Sequence, residues 1–415
     1  MKKIIYLIVS LVASVVALVW VANSGCAPKK TTPKDHEIIQ PLPDSCVVNV
    51  FIENSGSMDG YLVDGSMFKD DIYNYISLIK QHESSLADSL FLNLYYINST
   101  VIPVGKDPLV FIKNLTPVDF ARKGGSRSST DIQKLLDMVI KRQNPYDINI
   151  LISDYILSPN DLDPKAFLGI TKTAVRDVFV DKLKQNPDFS VMIYHMESEF
   201  TGKYYPPKGI SMKINGNRPY YMFIFGNQDN LARLKDNIDI TRCSGFVSSY
   251  SISKMTDKLN YGILNSHKIG HFIPGKHSIT KAKVDNKNPK TKFAVSMGVD
   301  YSSLLLDDSY LCNPDNYEIS NAAYTLSIKP NSKEGKYTHI LTLSLNHAII
   351  SKGDVSIKLK KSPCSWADEY TDNDGSDITQ PDAMKKTFGL KSLIDGIYEA
   401  YSTEPNYINL RITIN

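Results

Sequence analysis

The chain has 415 residues, 42% hydrophobic, 22% charged and 10% aromatic, with 47 Lys+Arg against 44 Asp+Glu. This composition excludes a disordered, collagen-like or polytopic membrane chain, and the length accommodates two or three domains, each able to bury its own core. Lys2 and Lys3 supply two of the three net positive charges, which leaves 45 bases against 44 acids beyond residue 25 and no electrostatic footprint for nucleic acid.

Those two lysines precede an almost unbroken apolar run, Ile4 to Ala22, followed by Asn23, Ser24, Gly25 and Cys26. A positive end ahead of an apolar stretch enters a membrane with its N-terminus inside, so residues 1–25 read as a signal peptide or signal-anchor and the rest as extracytoplasmic. Ser24 and Gly25 before Cys26 resemble a bacterial lipoprotein cleavage site, which implies lipid attachment at Cys26 and a cell-envelope location. An uncleaved single-pass anchor is the alternative, since 19 apolar residues approach the length that spans a bilayer. Residues 26–45 carry four prolines without apolar periodicity and read as a tether. Cys46, Cys243, Cys312 and Cys364 remain, and an oxidising compartment permits one or two disulfides among three pairings.

From residue 46 to about 245, strands and helices alternate. CVVNVFI (46–52) reads as a buried strand, Phe68, Ile72, Tyr75, Ile76 and Ile79 fall on one helical face, and a strand follows at 90–97. Ile132, Leu135, Leu136, Val139 and Ile140 mark another helix, and INILIS (148–153) another strand. Asp163 and Pro164 cap and open a helix, strands follow at 190–195 and 220–225, and residues 228–238 form a last helix. Apolar strands separated by amphipathic helices predict a doubly wound α/β domain with a mostly parallel sheet. Between the last two strands, Pro206, Pro207 and an Asn215-Gly216 turn predict a surface hairpin.

Open α/β sheets bind ligands at the carboxyl ends of their strands. Here the first strand ends in Glu53-Asn54-Ser55-Gly56-Ser57-Met58, the fourth in Asp154, and Gly124 to Asp131 lead into a helix. These residues offer carboxylates and hydroxyls, an all-oxygen set suited to a hard divalent cation such as Mg²⁺, Mn²⁺ or Ca²⁺.

On Glu53, Ser55, Ser57, Thr130 and Asp154 the chain resembles the von Willebrand factor type A family, whose metal-ion-dependent adhesion site joins a D-x-S-x-S strand end, a Thr ahead of a helix and an Asp at a later strand end. Ser55 and Ser57 match the two serines, Thr130 the threonine and Asp154 the last aspartate, while Glu53 stands where the family has its first aspartate. The resemblance spans residues 46–245. It implies a cation held by these five residues, with Glu53 direct or through water, and a position left open for a carboxylate from a protein partner: recognition without turnover. Two other readings fit the same residues, a metal-dependent envelope hydrolase with Glu53 as base and a metal-free scaffold. Taken singly, Thr130 with Gln133 also reads as a capping box.

From residue 246 to 415 the pattern becomes β-rich. Segments 324–330, 339–345, 355–360 and 408–414 alternate, and only 385–401 has helical spacing, which predicts a sandwich-like domain with one packed helix. Gly270 to Lys276 fits a phosphate-loop spacing, but His277 replaces the hydroxyl that would hold Mg²⁺, so no nucleotide site is expected. His267 and His271 lack the glutamate of a zinc protease. Asp372 to Asp377 lacks the distal Glu of a calcium loop and reads as a turn.

Overall fold

A computed structural model describes residues 43–127, 131–159, 162–207, 209–332, 335–375 and 377–415. The expected signal segment, Cys26 and most of the tether therefore lie outside the described residues, as does Thr130. Among the described residues, no helix is long and apolar enough to cross a membrane.

The first strand, β1 (Cys46–Glu53), is buried on both sides: Val48, Val50 and Ile52 enter one core and Phe51 the other, where Asn49 and Glu53 are buried with hydrogen-bond partners. It pairs in parallel with β2 (Leu90–Ile97) and with β4 (Ile148–Ser153), while β3 (Val101–Gly105) lies antiparallel outside β2. Three asparagines at one register, two of them buried and Asn93 half-buried, lock this group. Asn93 donates to Asn49 at 3.1 Å, Asn49 to Asn149 at 2.8 Å, and Asn149 to the Val139 carbonyl at 2.7 Å. A one-residue slip would leave the buried Asn49 and Asn149 amides without these partners.

Beyond β4 the sheet departs from the mostly parallel expectation. Strands β5 (Phe189–Tyr204) and β6 (Met212–Asn227) follow each other without a helix, so they can only pair antiparallel, and β6 inserts between β4 and β5. With β7 (Phe246–Ile252) the result is a seven-stranded mixed sheet in the order β3-β2-β1-β4-β6-β5-β7, only two of whose pairings are parallel. Asn215 and Gly216 are not the turn. They pair with Thr201 and Phe200 inside the ribbon, and the chain reverses after Tyr204, where Pro206 and Pro207 cannot supply ladder N–H groups.

Helix α1 (Met67–Gln81) covers one face of the sheet; α2 (Ile132–Lys141) and α3 (Pro164–Gln185) cover the other. The helix expected to pack within the β-rich part, α4 (Leu390–Tyr401), lies instead on α3. Leu393, Ile394, Ile397 and Tyr401 join the core of Val175 and Phe179, and Lys172 bonds Glu399 at 2.7 Å. The remaining strands form a five-stranded sheet (Tyr317–Ile319, Gly353–Lys360, Asn406–Ile414, Ser278–Lys283, His271–Pro274), a four-stranded antiparallel one (Thr325–Pro330, His339–Leu345, Phe293–Val299, Tyr261–Ile269) and a short parallel pair (Thr371–Asp372, Thr387–Phe388). Val355, Ile357, Leu410 and Ile412 of the first share a separate core with Val295, Met297, Leu341 and Leu343 of the second.

The four cysteines are free, so the expected disulfides do not form. Burial pushes the Cys46, Cys243 and Cys364 thiols up to about 12, which leaves them inert as nucleophiles.

Under the sheet, His195 on β5 is fully buried among Tyr221, Trp366 and Tyr370, with Nε2 lacking any hydrogen-bond partner. Burial lowers its pKa from 6.5 to about 4. The folded form then binds fewer protons than the unfolded chain, so this residue's share of stability is present above pH 6.5 and is lost as the pH falls toward 4. The loss reaches on the order of 3 kcal/mol. In denaturant titrations between pH 7 and 4, His195→Phe is expected to flatten this part of the acid limb; an unchanged slope would show that His195 does not set it.

Candidate functional site

Because β1, β2 and β4 run parallel in register, with Glu53 opposite Ile97 and Ile52 opposite Ile152, their carboxyl ends form one crest. β6 enters this edge antiparallel, with Tyr221 opposite Ser153, so the residues just before Tyr221 lie there too.

Glu53, 2% exposed, accepts a short hydrogen bond on Oε2 from the Ser153 hydroxyl of the neighbouring strand, and Ser153 Oγ in turn accepts from the Tyr155 amide at 2.8 Å. The extra methylene of Glu relative to Asp is thus used to reach sideways along the crest. Past it the chain tightens into a 3-10 turn, Gly56–Tyr61, and the Ser55 and Ser57 hydroxyls meet at 2.8 Å.

Asp154 follows β4. Its Oδ1 accepts from the Ile156 amide at 3.2 Å, whereas Oδ2 is buried without a hydrogen-bond partner. Burial raises the carboxyl's pKa, and the Ser57 hydroxyl, the Ile156 amide and the Arg218 guanidinium each offset part of the rise. Ser57 is therefore close enough to favour the carboxylate, although its hydroxyl does not complete a bond to Oδ2 in this geometry. Tyr155, next in the chain, has φ 51°, a left-handed conformation costly for a side chain of this size. It seats the ring against Phe223, centroids 4.1 Å apart.

The loop ahead of α2 is fastened to the same crest by Asn98, Ser99 and Arg127. Asn98, just past β2, donates to the Gly124 carbonyl at 2.9 Å, and Ser126 N donates to Ser99 Oγ at 2.8 Å. Gly125 has φ +71°, and a Cβ there would stand 2.0 Å from Asn98 Oδ1, so only glycine fits. Arg127 then bridges the loops: Nε donates to Asn54 Oδ1 at 2.8 Å, Nη2 to the Ser55 carbonyl at 3.2 Å, and the same nitrogen pairs closely with Asp59. The helix that follows is capped by Asp131, which accepts from Lys134 N at 3.2 Å, one residue after Thr130.

Arg218 completes the cluster. At 1% exposure it is the largest fully buried side chain of the crest, donating through Nη1 to the carbonyls of Met384 and Lys386 at 2.8 and 3.0 Å and stacking 5.1 Å from the Tyr204 ring. Its Nη2 has no hydrogen-bond partner. The sequence signal was an arginine directly ahead of the apolar strand PYYMFIF, where a charge needs a dedicated partner.

Of the five predicted ligands, the crest brings together Glu53, Ser55, Ser57 and Asp154. Among the described residues no three His, Cys, Asp or Glu side chains gather, so this is a site of two carboxylates and hydroxyls. Of the motifs set aside, His277 stacks on Tyr261 at 4.1 Å, and the Asp372 carboxylate accepts from the Asp374 and Gly375 amides, a turn as expected.

Fold and site define an α/β protein with a buried, oxygen-rich polar cluster at its parallel strand ends. Comparison with protein-family models, with curated proteins and with solved structures yielded no match.

Proposed function

We propose that the chain is a membrane-tethered, extracytoplasmic protein of the von Willebrand factor type A kind that binds a protein partner through a divalent cation, Mg²⁺ or a close relative, at Ser55, Ser57, Thr130 and Asp154, with Glu53 beside them. One observation carries the reading. Asp154 Oδ2 is a buried carboxylate oxygen without a hydrogen-bond partner, near the Ser57 hydroxyl that meets Ser55 at 2.8 Å, and such an atom is costly unless a cation or water satisfies it. The donors are all hard oxygens, which suits Mg²⁺ or Mn²⁺.

The bound cation would supply positive charge and a coordination position for a partner's carboxylate. The chain's own residues do the positioning. Arg127 fixes the carbonyl of Ser55 and so the turn that bears both serines, Ser153 holds Glu53 in the crest, and Arg218 offsets part of the burial that disfavours charge at Asp154. Calorimetric titration of Mn²⁺ into chelator-treated protein is expected to give a single saturable site that Ser57→Ala weakens and Asp154→Ala abolishes. Absence of binding by the wild-type chain would overturn the proposal.

A further inference from the structure

We infer that the exposed face and tip of the β5–β6 ribbon form a docking surface for an acidic segment of a protein partner; the inference deepens the proposed function and rests on it for the carboxylate at the crest. β5 pairs with β7 only as far as Met196, and β6 with β4 only from Tyr221 onward, so the stretch from Glu197↔Pro219 to Tyr204↔Met212 projects past the sheet as a two-stranded ribbon. An isolated ribbon of this kind is marginal in water. This one is anchored mainly on the face where Phe200 meets Tyr61 edge-on at 4.9 Å and a Cβ on Gly202 would stand 2.6 Å from Gly60 Cα, and on the other face only near its base, where Glu199 accepts from the Met67 amide at 2.9 Å.

The other face carries an unresolved repulsion. Lys203 and Lys213 sit directly across from each other, both exposed, and neither forms an ion pair with any described residue. Like charges opposed on a strand pair destabilise it. The carboxylate already on this face, Glu199, is held by the Met67 amide at 2.9 Å and forms no ion pair with either lysine, so an anion brought by a partner relieves that cost and the ribbon selects acidic groups. Next to the lysines the surface turns apolar: Tyr205 is 42% exposed beneath the Lys203 ammonium, and Ile210 is 87% exposed at the tip. Tyr205 also links this surface to the crest, since a Cβ on Gly56 would lie 3.2 Å from its hydroxyl. A polypeptide carrying carboxylates between apolar residues matches the sequence of features met on leaving the crest: the Ser55–Ser57 turn, Tyr205, then the lysine pair.

The test uses the full-length chain in detergent and a fluorescein-labelled peptide of alternating Glu and Leu or Phe, with its Lys analogue as control, read by anisotropy with Mg²⁺ or chelator. The acidic peptide is expected to bind, and Lys203→Glu with Lys213→Glu to weaken it about tenfold or more while the melting temperature holds, since both side chains are exposed. Ile210→Ser is expected to weaken it several-fold. Equal binding by wild-type and charge-reversed protein, or by acidic and basic peptides, would overturn the inference. So would failure of the peptide to bind while anionic phospholipid vesicles bind in a lysine-dependent way, which would assign the tip to a membrane surface. Loss of the lysine effect counts against the ribbon, whereas loss of only the Mg²⁺ dependence counts against the crest reading.

Discussion

Arg218→Ala is expected to cost about 3–5 kcal/mol of stability, the range for removing one member of a buried charged network. Three losses coincide at this position. The carbonyls of Met384 and Lys386 become buried acceptors without their donor, the space beneath the Tyr204 ring empties, and Asp154 loses the nearest positive charge that offsets its burial. Arg218→Lys should recover only part of the loss, because one ammonium on a flexible stem cannot reproduce the planar fork that reaches two carbonyls. Urea denaturation of the three proteins checks this. A loss below about 1 kcal/mol for alanine, the level of an exposed pair, would mean that the guanidinium does not tie residues 384–386 to the crest.

The second large effect concerns the cation. A ligand present at a hundred times its Kd stabilises the folded state by about 2.7 kcal/mol, and Ser57→Ala with Asp154→Ala should forfeit all of it, because the pair supplies the orphan oxygen and the hydroxyl beside it. Without cation, removal of the partnerless Oδ2 favours the double variant, while loss of the acceptor for the Ile156 amide and of the negative charge near Arg218 opposes it, so only the cation-dependent difference is diagnostic. The pH dependence has a fixed sign. Burial raises the Asp154 pKa, so protons compete with the cation and the response should fade on acidification through that raised value. A cation response of equal size in wild type and double variant, measured by urea denaturation with and without Mg²⁺, would place any bound ion elsewhere.

Much of the architecture was legible because it rests on local pattern. The runs 46–52 and 148–153 are apolar apart from Asn49, Asn149 and Ser153 and became central strands, and the helical faces of α1 and α2 were visible at 3.6-residue spacing. The crest residues Ser55, Ser57 and Asp154 were legible for the same reason: polar side chains placed immediately after such strands stand at their carboxyl ends. What escaped the sequence depends on long-range pairing. Strand direction after β4 follows from a hairpin whose turn lies at the prolines and not at Asn215-Gly216, and nothing local distinguishes those two turn signals. The apolar face of α4 announced burial without naming its partner, which proved to be α3. Nothing local identifies the partners that bury Arg218; its bonds to carbonyls 166 and 168 residues away make it a buried member of the site.

The central claim, a divalent cation on the crest, is tested most directly by thermal unfolding of the chelator-treated full-length protein with and without millimolar Mg²⁺. The account predicts a saturable rise in melting temperature for the wild type that is absent from the Ser57→Ala, Asp154→Ala double variant. A wild-type melting temperature unchanged by Mg²⁺ or Mn²⁺ would contradict it.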